Sequence, residues 1–403
     1  MPRERRSSPP ATAKPMPSRY AAPIYFLSLT VENVRCFGAP LTIDFTRGEG
    51  RPARWTVILG GNATGRTTVL QALVALAPVR PDWTHARDTA ASRSTVQRFL
   101  HFPGDFNIWE MLPRRGELRS QLQAVLAHGR RLTEPPVGGR GGESFIEMAG
   151  SPYASDGVIN YRITDGLGEM ACFAYGVSRR MALPARTFTG SADPTASLFS
   201  DEASLRNAEE WLLQADYWAS RESEHTGRAW ARLEQVKQLV VSLLPGVDDL
   251  RLRLDPADGA PRPGVELLTV DGWIPLSQIG RSRQVTLAWL VDFASRLYEC
   301  YPDSAEPLAE PAVALIDELD LHLGPAWVQH LFQELPRWFA NTQFIVTAHS
   351  PLVVPPPTEA NLVVLRRDGD RIRLERDFAE VNQWRAAELM VSDLLSGGRS
   401  EGT

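Results

Sequence analysis

The spacing of apolar positions changes along the chain, and each change marks an element. From Tyr25 the run YFLSLTVENVRCFG alternates apolar and polar residues, the two-residue period of a half-buried strand. LTIDF over 41–45 repeats that period after a Gly-Ala-Pro turn. WTVILG over 55–60 is a short unbroken apolar run, as expected of a parallel strand covered on both faces. TTVLQALVALAP over 67–78 shifts to helical spacing and stops at a proline. Strand, glycine loop and helix therefore follow one another here.

Residues 80–160 are rich in Gly, Pro and Arg and yield no clear element. CFAYGVSRR (172–180) predicts a further strand with a basic end, and Ser204 to Leu244 is helical in pattern. VELLTVDGWIP (265–275) reads as two short strands about Asp271-Gly272. SRQVTLAWLVDFASRLYECY (282–301) predicts a long helix. AVALIDEL (312–319) and TQFIVTAHS (342–350) are apolar strands ending in polar residues, with the helix WVQHLFQELPRWFA between them. RDGDRIRLERD (367–377) predicts a terminal hairpin and AAELMVSDLL a last helix. With no internal repeat and no sustained heptads, this alternation predicts a three-layer α/β core carrying a helical insertion.

Composition narrows the function classes. With 403 residues and 43% hydrophobic content, the chain can bury a large core. A net charge of −5 argues against bulk binding of nucleic acid, so any such contact needs a local basic patch. The positive charge is almost all arginine, Lys14 and Lys237 being the only lysines. Cys36, Cys172 and Cys300 are scattered and lack metal spacing, which predicts reduced thiols in a cytoplasmic protein. No apolar run reaches the ~18 residues of a membrane helix, so no membrane partner is expected. The start, MPRERRSSPPATAKPMPS, is basic without an apolar stretch, and predicts a disordered leader over 1–20.

The chemistry begins in the glycine loop. Gly60, Gly61, Asn62, Ala63, Thr64, Gly65, Arg66, Thr67 and Thr68 follow the apolar strand and open the helix, the context a phosphate-binding GxxxxGK[ST] loop requires. Glycines let successive backbone N–H groups turn inward on phosphate oxygens, and the helix start adds a positive dipole end. Thr67 stands where a hydroxyl ligates Mg²⁺. Arg66 stands where the motif has lysine. Arginine keeps the charge but is bulkier and planar. Either coding bias against lysine produced a tolerated substitution, or the site binds nucleotide and hydrolyses it poorly.

The strand Ala314-Leu315-Ile316 ends in two acids, Asp317 and Glu318. Open α/β sheets bind ligands at the carboxyl ends of their strands. There Asp317 would hold Mg²⁺ through water, and Glu318 would polarise an attacking water as general base. The bland alternative is an acid-rich turn before a helix. Some thirty residues on, FIVTAHSP ends a strand in His349, placed either to order the attacking water at the γ-phosphate or to serve packing alone.

LTVENVRCFG, GGNATGRTT, LIDELDLHLGPAW and FIVTAHSPLVV together resemble ABC-class ATPases of the RecF/SMC and AAA-type phage-defence group, including Septu-type and retron-associated ATPases. The resemblance runs from about Tyr25 to Leu395. It implies a three-layer P-loop NTPase core of ABC/RecF type, with antiparallel lead strands and a helical insertion lobe, in one domain over 21–403. The nucleotide-binding core would cover 21–190 and 262–380, the helical insertion 195–250, and a hairpin and helix 362–396. It implies ATP and Mg²⁺ as ligands, and an arginine near the nucleotide that Arg35 matches. It also implies a Ser-x-Gly signature, supplied by a second subunit ahead of a long helix. Here that segment is PLSQIGRSRQ (275–284), in which Gly280 takes the serine place, Arg281 lies between, and Ser282 takes the glycine place. The signature is degenerate, with Ser277 or Ser282 as possible substitutes. YGVSR (175–179) also matches a family element, with no chemistry assigned to it.

Three functions compete. The first is an ATP-hydrolysing homodimer or higher oligomer that regulates a separate effector, such as a nuclease, in DNA maintenance or phage defence, with nucleic acid a possible partner. The segment after His349 is too short for an appended nuclease, so the effector is expected on another polypeptide. The second is a nucleotide-binding scaffold with little hydrolysis, favoured by Arg66 and the degenerate signature. The third, a transporter's ATP-binding subunit, fits the lead strand and the signature poorly.

Overall fold

The computed structural model describes residues 23–48, 50–78, 114, 116–129, 131–134, 142–150, 159–163, 169–182, 193–220, 226–255, 262–350 and 360–375. The leader over 1–20 and the last helix lie outside these residues.

β1 (Ile24–Glu32), β2 (Leu41–Asp44) and β3 (Trp55–Gly60) lead into α1 (Arg66–Leu76). β4 (Ser120–His128), β5 (Gly142–Gly150) and β6 (Ile159–Ile163) follow, then β7 (Cys172–Tyr175). α2 (Ala208–Ala219) and α3 (Thr226–Leu243) follow as two consecutive helices. β8 (Asp249–Asp255), β9 (Arg262–Thr269) and β10 (Gly272–Pro275) precede the long α4 (Arg281–Cys300). β11 (Ala312–Ile316), α5 (Pro325–Trp338), β12 (Thr342–Ala348), β13 (Ala360–Asp368) and β14 (Arg371–Glu375) complete the order.

The strands make three sheets. An antiparallel lead sheet runs β2-β1-β4-β5-β6, and a small antiparallel sheet runs β10-β9-β8. The central sheet runs β14-β13-β3-β12-β11-β7, with β13, β3, β12, β11 and β7 mutually parallel and β14 antiparallel at the edge.

Period-two alternation sorts the central strands' side chains between two cores. Ile58, Val313, Leu315 and Ile345 face α1 and the lead sheet. Val57, Leu59, Ala314, Ile316, Phe344 and Val346 face the opposite core, shared with α3, α4 and α5. Both faces are covered, which is why these strands read as unbroken apolar runs. Helix α1 lies between two sheets, and ten of its eleven residues are buried. Gln343 couples the sheets: its side chain accepts from Phe26 N at 2.8 Å and donates to Phe26 O at 2.8 Å, beside a register shift in β1.

Several expectations need correction. The stretch 80–160 contains β4, β5 and the start of β6, and β4 carries a plain alternation, with Leu122, Ala124 and Leu126 buried and Gln121, Gln123 and Val125 half-buried. The terminal hairpin is present as β13 and β14, and β13 also pairs in parallel with β3 inside the central sheet. The acid-bearing strand stops at Ile316, so both acids stand in the turn beyond it. Among the described residues, no helix is long and apolar enough to cross a membrane.

Candidate nucleotide site

The parallel register brings the carboxyl ends of β3, β11 and β12 to one edge: Ile316 is level with Val346, and Leu59 with Ala348. The glycine loop, the two acids and His349 leave from those ends.

The loop depends on two glycines for different reasons. Gly65 has φ +89°, and a Cβ there would lie 2.6 Å from Cys36 Sγ and from the Phe37 ring. A Cβ on Gly60 would lie 2.5 Å from Thr64 Oγ1 and 2.8 Å from Leu365 O. Ala63 takes a left-handed conformation, φ +58°, although it is not glycine, and its carbonyl accepts from Arg367 Nη2 at 2.7 Å. Thr64 Oγ1 donates to Gly61 O at 2.9 Å. Gly61 and Asn62 are exposed, while Thr68 is buried in the core face of α1.

Thr67 and Asp317 meet. The Thr67 hydroxyl donates to Asp317 Oδ2 at 2.7 Å, and Thr347 Oγ1 donates to Asp317 Oδ1 at 2.6 Å. Thr347 Oγ1 in turn accepts from Glu318 N at 2.7 Å, which fixes both acids to β12. Asp317 is 1% exposed. Asp320, three residues on, accepts from His349 N at 2.9 Å and Ser350 N at 3.0 Å.

Glu318 and His349 also meet: His349 Nε2 lies 2.7 Å from Glu318 Oε1. The Arg66 guanidinium lies against both ring nitrogens, with Nη2 2.9 Å from Nε2 and 3.1 Å from Nδ1. Its Nη1 donates to Gly60 O and, at 3.0 Å, to Ala348 O. Arg66 thus bridges the ends of β3 and β12, with Glu318 Oε1 3.8 Å from Nη2. Burial lowers its pKa, and the charges of Glu318, Asp317 and Asp320 oppose that shift.

Arg179 is the site residue whose role sequence reasoning missed. It is 2% exposed, and Nη2 donates to the Glu318 carbonyl at 2.7 Å. Burial pushes its pKa down to about 10, against the pull of Asp317, Glu318 and Asp320. Glu318 itself has φ +48°, a strained conformation for a non-glycine residue that this bond helps to hold. The YGVSR match was the available signal. Its glycine is forced, because a Cβ on Gly176 would lie 1.9 Å from Ser197 O.

Arg35 and the signature-like segment bond to residues outside the loop. Arg35 is exposed, and Nη1 donates to Gln71 Oε1 at 2.7 Å, one helical turn beyond Thr67. Gly280 caps α4, and Ser282 Oγ donates to His322 O at 2.7 Å. Arg281 and Ser277 border a cavity of about 330 Å³ that Arg179 also lines. Among the described residues, no hydrogen bond joins Gly280–Ser282 to the loop at 60–68 within one copy.

A parallel sheet with a phosphate loop after one strand, paired acids after a second and histidine after a third, beside an antiparallel lead sheet, decides the fold class. The chain has an ABC/SMC-like P-loop ATPase fold. In sequence, this ABC-like chain is 31% identical over 178 residues to "Retron Ec83 probable ATPase" of Escherichia coli, covering 44% of the chain and 30% of that protein. It is 35% identical over 101 residues to "Retron Vc95 probable ATPase" of Vibrio cholerae serotype O1 biovar El Tor, covering 25% of the chain and 20% of that protein. The chain thus matches less than a third of the length of these relatives. Similar solved structures include an SMC head bound to the C-terminal winged-helix domain of ScpA, with TM-score 0.46, 15% identity, and 87% and 97% of the two chains covered. The Smc head domain from Pyrococcus furiosus gives TM-score 0.45 and 14% identity, covering 91% and 100%. The fold class rests on strand order and loop placement rather than on those superpositions. No protein-family model matches the sequence.

Proposed function

We propose that this protein binds Mg-ATP at the loop 60–68, dimerises on nucleotide, and hydrolyses it slowly to regulate a partner effector. The carrying observation is the pair of contacts at one sheet edge: Thr67 to Asp317, and His349 to Glu318. Nothing but chain folding requires these four residues, from three separate elements, to meet beside a phosphate-type loop. Similarity to the two retron probable ATPases supports a role in retron-type phage defence, with the effector, a nuclease for instance, still to be identified. The boundaries 21–403, with core 21–190 and 262–380, belong to the same proposal.

The residues present fit a magnesium ion. Mg²⁺ prefers oxygen ligands, keeps several waters, and is held by one or two carboxylates together with substrate phosphates. Thr67 Oγ1 and Asp317 Oδ2, now bonded to each other, are such a set. The ion would neutralise charge on the transferring phosphoryl group. The loop N–H groups and the start of α1 would hold the β- and γ-phosphates. Glu318 would take a proton from water as its oxygen bonds to the γ-phosphorus. The bond from that phosphorus to the bridging oxygen breaks, and ADP leaves with the electron pair. His349, through Nε2, orients the Glu318 carboxylate. Arg35 and the segment Gly280, Arg281 and Ser282 would act from their own positions, the latter across the dimer.

A second reading, a nucleotide-binding scaffold with little turnover, is favoured by Arg66. Its guanidinium engages His349 and approaches Glu318, tying up both groups that would act on water. Equilibrium binding of Mg-ATP, measured beside phosphate release, separates the two readings. Turnover in the wild type that disappears in Glu318→Gln, with an ATP-dependent dimer accumulating, supports hydrolysis. Binding without turnover in both proteins supports the scaffold. No binding at millimolar Mg-ATP ends both.

A further inference from the structure

A second site lies at the other end of the same sheet. A cavity of about 610 Å³ is lined by Arg47, Arg51, Arg54, Trp55, Phe332 and Arg337, among others. Trp55 opens β3, while the phosphate loop follows its last residue, so the two sites are separated by about 17 Å of strand. Ligand at the loop leaves this cavity free.

Four arginines converge here in a chain whose net charge is −5. Backbone bonds set the positions of Arg47, Arg51 and Arg54. Arg47 N donates to Arg51 O at 2.8 Å, and Arg51 N to Gly48 O at 3.1 Å, which closes the turn between β2 and β3. Arg54 O accepts from Phe344 N at 2.7 Å, fixing that residue to the central sheet. Arg337 comes from the last turn of α5 and is bonded to Glu334 at 2.5 Å. Among the described residues, no ion pair joins Arg47 or Arg54 to an acid.

Trp55 gives the cavity an aromatic wall. It is 2% exposed, packed against Phe344 and Phe332 at ring-centroid distances of 4.4 and 4.5 Å. Its indole Nε1–H is buried with no acceptor among the described residues. The charged groups of the lining arginines are donors too. A cavity of donors and positive charge selects a ligand of acceptors and negative charge, and its volume is that of an ordinary small-molecule site.

We infer that this cavity is an anion site, separate from the phosphate loop, that takes a multiply phosphorylated ligand. The same oxyanion chemistry is offered by a free polyphosphate and by a nucleic-acid backbone, and the cavity's bounded size favours the former. Inorganic tripolyphosphate and a short single-stranded oligodeoxythymidylate are the probes, titrated calorimetrically into the full chain. The variants are Arg47→Glu/Arg54→Gln, Arg54→Lys, and Arg66→Ala as a control at the loop. Thermal melting checks that each is folded. The expected result is tripolyphosphate binding that persists in Arg66→Ala and weakens about tenfold for each guanidinium removed. Arg54→Lys, which keeps the charge, should retain most of it. Binding of the oligonucleotide alone, lost in the double variant, also establishes the site and identifies the backbone as the source. If the double variant binds both probes as the wild type does, or if neither probe binds the wild type, the inference is overturned.

Discussion

At the scale of single residues, the site turns on two arginines with opposite consequences. Arg66 spends its donors on two strand-end carbonyls and on His349. A phosphate must compete with these acceptors, and the planar fork holds His349 and Glu318 together while it does so. An ammonium is a point donor and cannot span the same set. Arg66→Lys is therefore expected to raise phosphate release by about tenfold, the worth of one charge-assisted hydrogen bond removed from the resting network. Release measured at saturating Mg-ATP checks this; an unchanged or lower rate would place the limitation elsewhere. Arg179 works the other way, because it supplies the buried positive charge that Asp317, Glu318 and Asp320 face. Arg179→Gln removes that charge and the bond to Glu318 O, and should cost about 1–3 kcal/mol, read from the urea midpoint.

At the scale of elements, the strand-loop-helix unit shows which backbone positions are obligatory. Gly65 combines a left-handed φ with the close approach of Cys36 and Phe37. Gly65→Ala should cost at least ~1–2 kcal/mol from the φ alone and more from the overlap. In the same loop the opposite change has the opposite sign: Ala63, at φ +58°, is exposed, and Ala63→Gly relieves strain. Denaturation midpoints of the two variants should move in opposite directions.

The same unit shows what was legible in the sequence. Strands covered on both faces announce themselves as apolar runs, so β3, β11 and β12 could be placed, and with them the loop, the acids and His349. The lead sheet's β4 alternates just as plainly, but it sits in a segment whose Gly, Pro and Arg content masks a nine-residue signal. β13 could be read as part of a hairpin but not as a neighbour of β3, because parallel pairing with a strand some 300 residues earlier leaves no local mark. Arg179 was invisible as a site residue for a related reason. Its function is a bond to a backbone carbonyl 139 positions away, and no motif of side-chain types encodes that.

At the scale of the whole molecule, both cores bury tyrosine in the same way, and this weakens the fold at alkaline pH. Tyr25, Tyr175, Tyr298 and Tyr301 are buried, and each hydroxyl donates inward: to Asn341 O, Asp292 Oδ2, Gln235 Oε1 and Pro311 O. Desolvation raises the pKa of all four, since a phenolate would lose both its hydration and its donor role. A folded-state pKa raised above the unfolded value gives stability that is complete below the unfolded value, about 10 for tyrosine, and is lost as pH climbs towards the folded one. Arg179 has the contrary sign. Its folded pKa is lowered, so the unfolded chain holds that proton more tightly, and its contribution improves with rising pH above about 10. Among these five groups four protons outweigh one, so their joint contribution falls as pH rises above 10. Neither effect operates between pH 6 and 9. Urea midpoints should therefore owe nothing to these five groups across that range and fall beyond pH 10. Replacing Tyr175 by Phe should make the fall shallower by one proton while sacrificing the bond to Asp292.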